Sequence, residues 1–253
     1  MIDIGSALKT VTAELVASGA QAVVLFGSFA RGDATPYSDL DLWALGSGAP
    51  RYELRDRRLI VATWVSPDAA RAAFRDPAAV CEAIPAWREA RILYDPFGWA
   101  ADIQREATAW TWAALNPVAC DGHVSREVAG YAEEVLKLVG ALAAGWHLMA
   151  AVQRNVLVLR LAGVLALHRR LLYGTENRLW EMVAHEMGEP YAQIQGRAMG
   201  LGGEPFEDTC RAALHLYALV AQQTQHILDR QQRPIVAHAC ARAGYVLEAS
   251  DRT

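Results

Sequence analysis

The stretch AVVLFGSFARGDATPYSDLDLWAL, Ala22–Leu45, decides how this chain folds. The apolar run Ala22–Phe26 reads as a strand and Gly27-Ser28 as a tight turn into a short helical segment. Asp39–Leu45, with its period-2 alternation, reads as a second strand. A turn of this kind leaves backbone N–H groups directed outward, which suits an anion. Gly27 lets the backbone approach that anion closely, and the Ser28 hydroxyl adds a donor. Asp39 and Asp41 stand two apart, so on a strand both carboxylates project from one face. Phosphate donors beside paired carboxylates are what a Mg²⁺–nucleoside triphosphate requires, since hard cations bridge carboxylate and phosphate oxygens.

The rest of the composition narrows the setting. The chain has 253 residues, enough for one large or two small domains, and its 53% hydrophobic content supplies a core. The apolar runs are interrupted before the ~20 residues that a bilayer span requires, so no membrane association is expected. The N-terminus MIDIGSALKTVTAEL carries acids and lacks a basic leader pattern, which predicts a cytoplasmic chain. Cys81, Cys120, Cys210 and Cys240 are widely spaced, which argues for buried thiols against a zinc site. The net charge of −4 disfavours nucleic acid as a partner and is compatible with a cationic one.

Along the chain, Ile4–Ser18 carries Leu8, Val11, Leu15 and Val16 at helical spacing, with Gly19 as a stop. Gly46–Pro50 is a turn, and Arg57–Val65 is a third strand. Ser66-Pro67-Asp68 opens a helix with an N-cap and a first-turn proline, and Ala90–Tyr94 is a fourth strand. Beyond Phe97 only helical periodicity remains, with helices expected near 98–115, 124–144, 149–173, 177–187, 190–199 and 206–230. One more short helix is allowed after Arg233. The fold class is therefore α+β: a mixed sheet with helices over residues 1–97, then an all-α bundle over 98–253.

Gly27-Ser28, Arg31-Gly32 and Ser38-Asp39-Leu40-Asp41-Leu42 together resemble the signature of the DNA polymerase β-like nucleotidyltransferase superfamily. The later order Glu133-x-x-x-Lys137, then Leu167-His168-x-Arg170-x-x-Tyr173, resembles the kanamycin (aminoglycoside 4′-) nucleotidyltransferase family. The resemblance implies transfer of AMP or another nucleotide from Mg²⁺-ATP or another triphosphate to a hydroxyl of a small molecule, an aminoglycoside in that family. It places Gly27, Ser28, Arg31, Ser38 and Lys137 on the nucleotide, and Asp39 and Asp41 on the metals of a two-metal site. Glu133 becomes the general base. The helical domain supplies the acceptor pocket, and the resemblance also implies a homodimer.

One position departs from the pattern. The superfamily has a third carboxylate on the strand after Asp-x-Asp, where this chain reads LIVATWV, Leu59–Val65. Val61 is the expected occupant of that slot, Thr63 the next, and Asp56 and Asp68 only flank the strand. Two other readings stay open: a non-catalytic, antitoxin-like nucleotide-binding protein, and a nucleotidyltransferase that modifies protein or tRNA. Glu133 and Lys137 also read, more simply, as an exposed ion pair one turn apart on a helix.

Overall fold

The computed structural model describes residues 4–55 and 57–247. Its contacts divide the chain into two compact units, Met1–Leu115 and Asn116–Thr253.

The first unit is built on a five-stranded mixed sheet: β1 (Ala22–Phe26), β2 (Leu40–Leu45), β3 (Arg51–Arg55), β4 (Arg58–Val65) and β5 (Arg91–Tyr94). The spatial order is β3-β4-β2-β1-β5, with β2 and β4 parallel and every other pair antiparallel. Helix α1 (Ile4–Ala17) lays Leu8, Val11 and Leu15 on one face, against Val23, Leu25, Leu40, Leu42, Ile60 and Ala62. The other face carries Phe26 stacked on Trp43, with Trp87 of α4 (Val80–Glu89) beyond. The short helix α2 (Gly27–Arg31) follows β1 directly, and α3 (Pro67–Ala73) follows β4. Ser66 caps α3 by accepting from the Ala69 N–H at 3.1 Å, with Pro67 in the first turn as the sequence predicts.

Three expectations are corrected here. The second strand begins at Leu40 and not at Asp39, so Asp39 sits in the loop just before it. The third predicted strand starts at Arg58, and an additional strand, β3, lies where only a connection was expected. Finally, α5 (Trp99–Ala109) ends well short of 115 and belongs with the first unit: Gln104 of α5 donates to the Trp87 and Ala90 carbonyls, and Arg88 of α4 donates to the Ala107 and Trp110 carbonyls.

The second unit contains α6 (Pro117–Gly130), α7 (Ala132–Ala144), α8 (His147–His168), α9 (Glu176–Met187), α10 (Glu189–Met199), α11 (Phe206–Thr224) and α12 (Gln232–Arg242). Leu138, Leu157, Leu161, Leu165 and Tyr217 are fully buried in it, and the Tyr217 hydroxyl donates to the Val128 carbonyl at 2.9 Å. The single helix expected over 124–144 is two, separated at Tyr131. The helix expected to reach residue 173 stops at His168, because Arg170 turns to a φ of +59°. Among the described residues, α8 is the one helix long and apolar enough to cross a bilayer by length and composition, although Arg154, Arg160 and Gly163 interrupt its apolar runs. Its Leu157, Leu161 and Leu165 are nonetheless core residues of the helical unit. The four cysteines form no disulfide.

Candidate functional site

The site is built where β1 hands over to α2. Gly27 has a φ of +70°, which costs an L-residue roughly 1–2 kcal/mol. A Cβ at Gly27 would lie 2.5 Å from Asp41 Oδ2. Glycine is thus required twice, for the turn and for the approach of the Asp41 carboxylate to the backbone. The first N–H groups of α2 have no intrahelical acceptor, and no side chain caps them at Phe26. Gly32 closes the helix in the left-handed region, its N–H donating to the Ser28 carbonyl at 2.9 Å. The chain then loops back to Asp39.

Asp41 stands opposite Phe26 on β1 and opposite Val61 on β4. Burial and the neighbouring charge of Asp39 push its carboxyl up from 3.8 to about 6, while Arg31 pulls the other way. A partly desolvated Asp41 carboxylate beside a second negative charge fits a divalent cation, which relieves both costs. Among the described residues no group of three His, Cys, Asp or Glu side chains is arranged to hold a metal ion.

The register bears on the third carboxylate that the resemblance implies. Val61 is the direct cross-strand partner of Asp41, so it shares the carboxylate's face of the sheet. Thr63 lies one step further along that face, opposite Trp43. Asp68 sits in the first turn of α3, and Asp56 lies outside the described residues.

The other residues implied by the sequence have mixed surroundings. The Arg31 side chain is only 11% exposed and is held by Asp33 at 3.2 Å and Glu89 at 4.0 Å. Ser38 Oγ accepts the Thr35 N–H at 2.9 Å, so its hydroxyl shapes the loop leading to Asp39. One contributor was missed in the sequence: Arg58, at the start of β4. Its guanidinium donates to the Ser38 carbonyl and lies over the Phe29 ring, 4.8 Å from the centroid. It thereby ties the turn helix to the Asp39 loop. In the helical unit, Glu133 and Lys137 form an ion pair of 2.7 Å on α7, with Glu133 69% exposed. The Lys137 ammonium is held above its usual range by that pairing. The His168 and His226 rings lie tilted with centroids 5.5 Å apart, and burial followed by that neighbour's charge pushes the His168 imidazole below the usual value.

Strand β1, the Gly27 turn, the Asp41 carboxylate against that turn and Asp39 beside Asp41 form one arrangement. Residues 7–93 match the family model of the nucleotidyltransferase domain. The match runs from α1 into β5 and contains the whole turn-and-carboxylate arrangement. Among solved structures, the chain is similar to a nucleotidyltransferase-like protein from Exiguobacterium sibiricum 255-15. That likeness has a TM-score of 0.52 and 13% identity over 89% of this chain and 78% of that one. It is a likeness of fold, and it reaches well beyond the nucleotidyltransferase domain. No curated protein matches the chain. The superfamily is thus supported by the domain match and by the fold, while the narrower likeness to the kanamycin family rests on sequence motifs alone.

Proposed function

We propose that this protein transfers a nucleoside monophosphate from a Mg²⁺-nucleoside triphosphate to a hydroxyl of a small molecule. The observation that carries the reading is the Asp41 carboxylate packed against the Gly27 backbone, beside Asp39, within a matched nucleotidyltransferase domain. The β- and γ-phosphates would lie on the Gly27-Ser28 turn, whose N–H groups and Ser28 hydroxyl are donors, with Arg31 nearby as a fixed positive charge. Mg²⁺, held by Asp39 and Asp41, supplies charge neutralisation of the triphosphate and alignment of the reacting oxygens when bound. The acceptor oxygen forms a bond to the α-phosphorus as the bond to pyrophosphate breaks, and its proton passes to a base. Glu133 is proposed as that base and Lys137 as a nucleotide contact, on the motif resemblance. An aminoglycoside acceptor would rest on the same motifs and the net charge of −4 alone, so the acceptor is left here as a small-molecule hydroxyl compound.

Pyrophosphate release from Mg²⁺-ATP and Mg²⁺-GTP against aminoglycosides and other hydroxyl compounds checks the reading. Acceptor-dependent release is the expected result. Tight triphosphate binding without release under any acceptor would favour a non-catalytic nucleotide-binding protein, the second reading that Val61 in the acidic slot supports.

Three substitutions test the reading further. Glu133→Gln should lower kcat by about 10²-fold or more, the usual contribution of a general base, with little change in triphosphate affinity. Lys137→Ala should chiefly raise the KM for the triphosphate. If Glu133→Gln turns over like the wild type, Glu133 and Lys137 are a surface ion pair and nothing more. Val61→Asp adds a carboxylate directly opposite Asp41, and should lower the Mg²⁺ concentration needed for half-maximal activity. An unchanged Mg²⁺ requirement with an intact fold would remove Val61 from the metal site.

A further inference from the structure

The sheet register extends the site beyond Asp41. Phe26, Asp41, Val61 and Tyr52 are successive cross-strand partners on β1, β2, β4 and β3, so their side chains form one row on one face. The row starts at the Gly27 turn, passes through the carboxylate and ends at the sheet edge. Leu59 and Leu54 pair with each other one step along the same face. Tyr52 is 70% exposed, Leu54 75% and Leu59 44%. The acids and bases of β3 point the other way: Arg51 and Arg55 pair with Glu14 of α1 and with Glu53. Among the described residues the floor beyond Asp41 is therefore apolar, with an aromatic ring at its end.

The chemistry says what belongs there. In an in-line displacement the attacking and leaving oxygens lie on opposite sides of the phosphorus. With the leaving pyrophosphate on the Gly27-Ser28 side of Asp41, the attacking hydroxyl enters from the opposite side. Along this row, that side is Val61, then Tyr52 and Leu59. A polycation seeks carboxylates where it docks. The local surface decides this ahead of a net charge spread over the whole chain, because charges beyond about 8–10 Å are screened at physiological salt.

We infer that the acceptor is a hydroxyl compound with a flat apolar or aromatic ring system beside its reacting hydroxyl, seated on Val61, Leu59 and Tyr52, and not a polycation. The inference rests on the transferase reading and names the acceptor class of that same site. The transfer itself is unchanged: the ring-borne oxygen bonds to the α-phosphorus, pyrophosphate departs, and the hydroxyl proton goes to the base.

The experiment compares the wild type with Tyr52→Ser and Leu54→Ser, both exposed positions whose substitution spares the core. Transfer of label from α-labelled triphosphate is followed against two panels, uncharged aromatic or alicyclic hydroxyl compounds and polycationic aminoglycosides. Product is expected with the first panel. Tyr52→Ser should raise the acceptor KM at least about tenfold, equivalent to about 1.4 kcal/mol. The KM for the triphosphate should stay within about twofold. Product with aminoglycosides alone, or an acceptor KM indifferent to both substitutions, overturns the inference and leaves the transferase reading standing. Absence of product from every acceptor, in a protein that binds Mg²⁺-triphosphate, overturns the transferase reading and this inference with it.

Discussion

Asp41→Asn is expected to abolish Mg²⁺-dependent pyrophosphate release and, at the same time, to raise the thermal stability of the metal-free protein at neutral pH. The two effects share one cause. Asp41 is a partly desolvated carboxylate beside Asp39, and its carboxyl is pushed up from 3.8 to about 6. The fold therefore favours the protonated form, and stability contributed by that proton is lost as pH rises from the ordinary value through about 6. The shift corresponds to at most about 3 kcal/mol before solvent screening reduces it. Asparagine removes the charge and that penalty, but on the proposed reading it also removes a hard anionic ligand where Val61 offers no replacement. Melting curves with and without Mg²⁺ and triphosphate read both effects. The wild type should gain stability on adding them, most strongly above about pH 6, and Asp41→Asn should gain little. Asp39→Asn should likewise lose activity. Near-wild-type turnover by either variant would remove the carboxylate pair from the reaction.

The second large effect is expected of Gly27→Ala. The added methyl must sit in a left-handed conformation and 2.5 Å from Asp41 Oδ2. The strain costs roughly 1–2 kcal/mol, which a domain of this size tolerates. The clash is more damaging, because Asp41 or the turn must move by several tenths of an ångström or more. A displacement of about 1 Å at a reacting centre costs about 10²-fold in rate. Activity should therefore fall by that order while the circular dichroism spectrum stays native. Gly32→Ala is the control: its φ is +86°, yet nothing lies within 4 Å of the added Cβ. It should lose stability to the same strain but keep the Mg²⁺ dependence of the wild type. Equal losses of activity in the two variants would mean that turn strain, and not the approach to Asp41, governs the site.

The parts of this fold that were legible in the sequence are those fixed by local rules. The apolar run before Gly27, the Ser66-Pro67 cap and the positive-φ glycines follow from backbone stereochemistry and need no partner strand. Val61 could be singled out because residues two apart on a strand share a face, and the β2–β4 register places it opposite Asp41. What escaped depends on tertiary partners. Strand β3 turns Arg51, Glu53 and Arg55 toward Glu14 of α1 and leaves Tyr52 and Leu54 exposed, so its inward side is the charged one and the hydrophobic pattern reads inverted. The division between α6 and α7 falls at Tyr131, where neither proline nor glycine marks it; Gly130 still belongs to α6. Arg58 was invisible as a site residue because its role is a bond to the Ser38 carbonyl, twenty residues away in sequence. The row ending at Tyr52 required the pairing of four strands.

On the transferase reading the α-phosphorus of the triphosphate is the atom attacked. Parallel reactions with α-labelled and γ-labelled triphosphate, Mg²⁺ and a hydroxyl acceptor measure this directly. The predicted result is α-label bound covalently to the acceptor and γ-label recovered only as pyrophosphate, both lost in Asp41→Asn. Recovery of γ-label on the acceptor, or binding of triphosphate with neither label transferred, would contradict it.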